Sequence, residues 1–140
     1  MSLDNAHPNV AGITLLVAVL LLIGLAVVGL GCAAFRGNPE PTMDNFGDDP
    51  AFQYACIEAK TAAIRWYGKR YGGVVKVPFV SVERVPKSRL PTDWAQTVSA
   101  WRILLRDDCP PSVLRGVLAH EFRHTLAMFN GKGGSEAAVK

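Results

Sequence analysis

The hydrophobic positions of this chain form one long uninterrupted run, followed by several shorter periodic stretches. The long run covers residues 10–35, which include no charged side chain in 26 positions. About 20 apolar residues are enough for a helix to cross the hydrocarbon core of a bilayer. The preceding tail, residues 1–9, has no Lys or Arg, and the run exceeds the roughly 7–15 apolar residues of a signal peptide. We therefore predict a transmembrane helix at residues 10–35.

The end of the apolar run offers a second mode of membrane attachment. Residues 29–32 read GLGC, which resembles the lipobox at which bacterial lipoproteins are cleaved and lipidated on cysteine. The match is partial, because Gly29 stands where the box usually has leucine. A lipid on Cys32 is thus an alternative to a simple span, and both interpretations place the chain at a membrane. Arg36 is the one basic residue close to the run, so the side of the membrane stays open.

A change in composition separates the apolar run from a small folded domain. Residues 36–50 are rich in proline, glycine and acidic residues, and they predict an extended linker. Residues 51–140 contain the periodic stretches and predict one small domain. The formal net charge is only +3, with basic residues scattered along the chain, so we expect no nucleic-acid partner.

The first half of the domain predicts a helix followed by strands. Asp49 and Pro50 are suited to the N-cap and first position of a helix, and Gly72 with the following glycine would end it. The valine-rich residues 74–85 predict a strand, with a proline at an edge or bulge. A second strand is predicted over residues 97–106.

The second half of the domain predicts two further helices. Apolar positions form a broad stripe over residues 113–129, with Ser112 or a nearby acid as the cap. Asn130 and Gly131 would end this helix, and Ser135 would begin a short final one. The resulting order of helix, strand, strand, helix and short helix predicts an α+β domain. Cys56 and Cys109 are compatible with either a disulfide or two free thiols.

The strongest chemical signal is the stretch LAHEFRHTL at residues 118–126. His120 and His124 are four residues apart, so a helix would bring both imidazoles to one face. Two imidazole nitrogens suit Zn²⁺, which lowers the pKa of a bound water toward about 7. Glu121 is adjacent to the first histidine and could take the proton as that water attacks a carbonyl carbon. The spacing therefore predicts a catalytic zinc site.

This stretch resembles the active-site helix of the zincin metallopeptidases. Val117 matches a position of the extended zincin pattern, as do Phe122 and Leu126, whereas Arg123 departs from it. The resemblance implies that His120 and His124 are zinc ligands and that Glu121 is the general base. It also implies an edge strand that binds substrate in extended form, a role that the WRILLR stretch, residues 101–106, could fill.

The resemblance also suggests where the third zinc ligand lies. In gluzincins it is a glutamate on a following helix, and Glu136 occupies such a place. An exposed acid in the first turn of a helix is the alternative interpretation of Glu136, because the helix dipole favours it there. Metzincins take their third ligand six positions after the second histidine, where this chain has Asn130, so that pattern does not apply.

Together these features predict a membrane-anchored, zincin-like zinc metallopeptidase that acts on peptides or proteins. One alternative is a non-catalytic, membrane-tethered protein that uses a zincin-like fold for binding or scaffolding. Another is a structural metal site that locks the C-terminus onto the motif helix. The sequence leaves the oligomeric state open.

Overall fold

Two long helices and a three-stranded sheet make up the part of the chain that the structure describes, residues 40–140 of a computed structural model. This part is a small α+β domain, as the sequence predicts. The predicted tail (1–9) and transmembrane helix (10–35), with Cys32, lie outside the described residues, as does the start of the linker. Among the described helices, none is both long enough and apolar enough to cross a membrane.

The first helix, α1 (Pro50–Tyr71), has the boundaries expected from its sequence. The carboxylate of Asp49 accepts hydrogen bonds from the backbone N–H groups of Ala51 and Phe52, at 3.0 and 3.4 Å. Such an N-cap satisfies donors that have no partner within the helix. At the other end Gly72 has a φ of 66°, a conformation that other residues rarely adopt. Both predicted ends of α1 are confirmed.

Part of the predicted linker packs onto this domain. Phe46 is 7% exposed, and Asn45 forms an isolated parallel bridge with Ser81. The carboxylate of Asp44 accepts a hydrogen bond from Lys60 Nζ at 2.6 Å, which ties the segment to α1. The apolar and ionic contacts thus extend the domain on the N-terminal side of residue 50.

The sheet has three strands in the order β1-β3-β2. They are β1 (Ser81–Val85), β2 (Ala95–Ser99) and β3 (Arg102–Arg106). The first runs parallel to β3 and the second antiparallel to it. Between β1 and β2 lies a 3₁₀ turn, Lys87–Arg89.

Both predicted strands differ from the observed ones. The predicted strand 74–85 is confirmed only at its C-terminal end, because residues 74–80 belong to no strand. Pro78 has no N–H to donate, and its carbonyl accepts from Lys60 Nζ at 2.8 Å, away from any strand. The predicted strand 97–106 is wrong as a single element, since a turn at Ala100 and Trp101 divides it into a hairpin.

The hairpin also changes which strand lies at the edge. We predicted that WRILLR is the edge strand, but β3 is paired on both sides and lies in the centre of the sheet. The edge beside the motif helix is formed by β2 instead. This correction matters for the site, because an edge strand has unpaired backbone groups on its outer side.

The motif lies on the second long helix, α2 (Pro111–Phe129), and a short α3 (Glu136–Val139) follows it. The predicted cap by Ser112 is wrong: Pro110 occupies the N-cap position, and no side chain caps the first turn. The predicted end is confirmed, since Asn130 is the C-cap and Gly131 has a φ of 71°.

One apolar core fixes the orientation of α2 against its neighbours. Leu118, Phe122 and Leu126 of α2 are at most 1% exposed, and they pack with Ile103 of β3 and Cys56 of α1. Full burial of such a side chain contributes roughly 1.5–3 kcal/mol. Because these three residues occupy the core side of α2, the histidines of the motif point to another side of the helix.

The two described cysteines are free. Cys56 is fully buried in the core, whereas Cys109 is partly exposed. Burial, reinforced by the charge of Asp44, raises the pKa of the Cys56 thiol to about 12. Cys56 is therefore a neutral, apolar core residue at physiological pH.

Candidate metal centre

The helical spacing of the motif brings its two histidines together. The Nε2 atoms of His120 and His124 are 3.1 Å apart, and their ring centroids are separated by 4.7 Å. His124 is buried at 7% exposure, while the side chain of His120 is 39% exposed. One nitrogen of each ring thus faces the same point beside α2.

Glu136 adds a third donor at that point. Its Oε1 lies 3.2 Å from His124 Nε2 and 3.4 Å from His120 Nε2. An ion with tetrahedral bonds of 2.0–2.1 Å separates its ligand atoms by about 3.3–3.4 Å. The three observed edges, 3.1, 3.2 and 3.4 Å, therefore have the size that one small tetrahedral ion requires. Glu136 is well exposed, as the alternative interpretation expects, but it also contacts both histidines.

The tautomer of neutral His124 follows from its other ring nitrogen. Its Nδ1 lies 3.0 Å from the carbonyl oxygen of Gly134, which can only accept a hydrogen bond. Nδ1 therefore carries the proton, and in the neutral ring Nε2 presents a lone pair toward Glu136. Metal-binding histidines in proteins have this arrangement, in which the second nitrogen donates to a carbonyl or carboxylate.

This arrangement is favourable only when a hydrogen-bond donor or a cation lies among the three ligand atoms. The ionised Glu136 carboxylate has only lone pairs to offer, as does Nε2 of neutral His124. A proton on an imidazole or a bound cation removes the repulsion between them. Burial raises the pKa of Glu136, but hydrogen bonding and electrostatic interaction with His120 and His124 outweigh it and lower the pKa overall.

Glu121 faces the same cleft but does not belong to the cluster of donors. The cleft has a volume of about 340 Å³ and is lined by α2, by the segment that carries Glu136, and by β2. Glu121 is 8% exposed, and its Oε2 accepts a hydrogen bond from the hydroxyl of Thr97 at 2.7 Å. The grouped donors among the described residues are His120, His124 and Glu136. Glu121 is thus available for a different role.

Thr97 was not predicted as a site residue. It lies on β2, and its hydroxyl is also 3.0 Å from the backbone oxygen of Glu121. This contact joins the edge strand to the motif helix across 24 residues of sequence. No local pattern in the sequence indicates it, because a threonine in a strand has no distinguishing spacing.

Arg123, the residue that departs from the zincin pattern, lies on another side of α2. Its guanidinium carbon is 4.8 Å from the centroid of the Trp66 ring on α1, a cation–π contact. Arg123 does not line the cleft. Arg123 therefore contacts α1, away from the three donors.

Comparisons with known proteins assign no family to this chain. No protein-family model, curated protein or solved structure matches it.

Proposed function

We propose that this chain is a membrane-attached zinc metallopeptidase of the gluzincin-like zincin type. One observation carries the proposal: the triangle of His120 Nε2, His124 Nε2 and Glu136 Oε1 lies in the same cleft as the buried carboxylate of Glu121. Two imidazoles and one carboxylate are a known ligand set for catalytic zinc. The zincin assignment and the activity are inferences from this geometry and from the motif.

The residues present suit a zinc ion. His120, His124 and Glu136 would hold it with two nitrogens and one oxygen, and three protein ligands leave one tetrahedral position open. The hydrogen bond from His124 Nδ1 to Gly134 keeps Nε2 free to coordinate. When bound, zinc would supply Lewis acidity and lower the pKa of a water molecule toward about 7.

Glu121 would act as the general base and then as the general acid. Its carboxylate would take a proton from the attacking water as the oxygen bonds to the substrate carbonyl carbon. It would then give that proton to the amide nitrogen as the C–N bond breaks. The hydrogen bond from Thr97 orients the carboxylate, and the low exposure of Glu121 limits competition from solvent.

The edge strand suggests how a peptide substrate would bind. Ala95, Gln96 and Thr97 of β2 line the cleft. Their outer backbone groups face no other strand among the described residues, so an extended peptide can add to the sheet there. A peptide backbone bound in this way would pass close to Glu121, because the Thr97 hydroxyl of β2 is hydrogen-bonded to the Glu121 carboxylate.

Membrane attachment enters the proposal from the sequence. We assign it to the apolar run at residues 10–35, with a lipid on Cys32 as the alternative. Peptide or protein substrates near the membrane surface are then the expected partners.

A structural metal site, in a protein used for binding or scaffolding, is the second candidate. Glu136 lies on the short α3, so a metal held with His120 and His124 would also lock the end of the described chain onto α2. This function needs the metal but not Glu121, which makes it experimentally distinct.

Metal content and hydrolysis of the full chain test the proposal. We expect about one zinc per chain in protein purified in lipid nanodiscs, and hydrolysis of unfolded casein at neutral pH. A chelator should abolish hydrolysis, and added zinc should restore it. Zinc without hydrolysis of casein or of a mixed peptide library would favour the structural site. A well-folded chain without zinc would refute both candidates.

Replacing Thr97 by valine should lower turnover about 10-fold, because one neutral-to-charged hydrogen bond of roughly 1.5 kcal/mol is lost from the base. Zinc content should not change, since the Thr97 hydroxyl hydrogen-bonds to Glu121 and to none of the three donors. Thr97→Ser keeps the hydroxyl and should restore most of the rate. Thr61→Val is a matched control on the exposed side of α1. Unchanged kcat in Thr97→Val would show that this contact does not orient the base.

A further inference from the structure

The segment that carries Glu136 has little structure of its own. The C-terminal segment (residues 131–140) contains α3, which is only four residues long. A helix of this length is unstable in isolation, because the conformational entropy lost in forming its first turn exceeds the stabilisation from the few hydrogen bonds that one turn contains. Gly131 and Gly133, with φ of 71° and 79°, lead into it and add conformational freedom to the unbound chain. The position of Glu136 therefore depends on contacts with the rest of the domain.

One of these contacts lies next to the metal centre, and another is the burial of an apolar side chain. The carbonyl of Gly134 accepts the hydrogen bond from His124 Nδ1, which fixes the start of the segment. Val139 is 1% exposed and anchors its end. These contacts hold the segment at both sides of Glu136.

A third contact comes from α1. Tyr71, the last residue of that helix, donates a hydrogen bond from its hydroxyl to the backbone oxygen of Ala138 at 2.6 Å. The Tyr71 ring is held in place by Tyr67, with the two ring centroids 4.7 Å apart. Ala138 lies two residues after Glu136 in the same turn, so this bond restrains the turn that presents the carboxylate.

We propose that Tyr71 is a positioning residue of the metal centre. It touches none of the three donors, but through Ala138 it holds Glu136 at the distance from His120 and His124 that a tetrahedral ion needs. Metal affinity then depends on a hydroxyl 65 residues earlier in the sequence than the ligand that it positions. This inference rests on the proposed zinc binding and extends it, since nothing in the HEFRH motif points to Tyr71.

Zinc affinity of the full chain, measured by competition with a chromogenic chelator, tests this role. Tyr71→Phe removes only the hydroxyl and keeps the ring contacts with Tyr67. The hydrogen bond that it loses predicts an affinity about three- to tenfold weaker. Tyr54→Phe removes an exposed hydroxyl from the same helix and should leave the affinity unchanged. Val139→Ala loosens the same segment without touching a hydrogen bond, and should weaken zinc binding as well.

The decisive comparison repeats these substitutions with Glu136 removed. In a Glu136→Ala background α3 carries no ligand, so Tyr71→Phe should have no further effect on the affinity left by the two histidines. The same loss in both backgrounds would mean that Tyr71 stabilises the domain in general, and it would overturn the proposal. So would an unchanged affinity in Tyr71→Phe with Glu136 present.

The outcomes separate this inference from the proposed peptidase activity. Zinc binding that depends on Tyr71, in a chain that cleaves no peptide, would leave the positioning role intact and refute the peptidase. If the chain hydrolyses peptides but its zinc affinity is unchanged in Tyr71→Phe, the peptidase proposal would stand and the positioning role of Tyr71 would be refuted. A wild-type chain that binds no zinc would refute both.

Discussion

Glu121→Gln is expected to retain zinc and to lose at least about 1,000-fold in kcat. General acid–base catalysis by a positioned side chain contributes about 10²–10⁴-fold, and here one carboxylate would serve in both proton transfers. The amide of glutamine cannot take a proton from water. The metal should remain, because the clustered donors are His120, His124 and Glu136. We expect normal zinc content with undetectable hydrolysis in a casein assay.

Glu121→Gln should change the proton transfer without disturbing the local structure. The amide oxygen of glutamine can still accept the hydrogen bond that Thr97 donates at 2.7 Å, so the contact between β2 and α2 should survive. Glu58→Gln is a matched control, because it makes the same change at a partly exposed glutamate of α1, outside the cleft, whose ionic partner is Arg115. Full activity in Glu121→Gln would contradict the proposed base. Loss of zinc in that variant would place Glu121 among the ligands.

The helices of the domain could be predicted from the sequence because their signals are local. Asp49 and Pro50 at one end of α1, and Gly72 at the other, act within a few residues of the boundary that they set. The same holds for Asn130 and Gly131 after α2. The start of α2 is the exception, since Pro110 and the following proline begin the helix without a capping side chain.

The strands could be predicted only in part, because sheet pairing is a long-range property. The turn at Ala100 and Trp101 has none of the Gly or Asn residues that usually mark a two-residue hairpin. The apolar residues before and after it therefore read as one continuous strand. The edge position of WRILLR came from the zincin resemblance and is wrong too, because β2 forms the edge beside the motif helix.

The residues of the candidate site likewise differ in how far they could be predicted, according to whether their positions depend on local or on distant contacts. His120, Glu121 and His124 follow from the period of one helix, and their common cleft is what that period predicts. Glu136 was named only through the family resemblance, and its place beside the histidines depends on the path of the C-terminal segment. Metal ligation by these residues stays a prediction.

The residues that support the site gave no signal in the sequence. Thr97 reaches Glu121 from another strand, and Tyr71 reaches Ala138 from the end of α1. Gly134 offers a backbone oxygen, which any residue could supply. These roles depend on tertiary packing, so spacing along the chain does not show them.

His120→Ala is expected to lower zinc affinity by more than about 100-fold and to abolish hydrolysis. Loss of an outer partner of a ligand typically costs 10–100-fold, and loss of a ligand should exceed that range. His120 suits this test better than His124, because its side chain is 39% exposed and its removal leaves no buried cavity. Metal analysis of the purified full chain, beside chelator competition, gives the measurement.

His7→Ala provides the matched control, since His7 is the third histidine of the chain and lies outside the predicted domain. It should bind zinc like the wild type, which would exclude a nonspecific effect of losing one imidazole. If zinc both binds the wild type and raises its melting temperature, His120→Ala should lose that increase too, because a ligand that binds only the folded state stabilises it. Equal zinc affinity of His120→Ala and the wild type would mean that the metal binds elsewhere, and the HEFRH helix would then have no metal role.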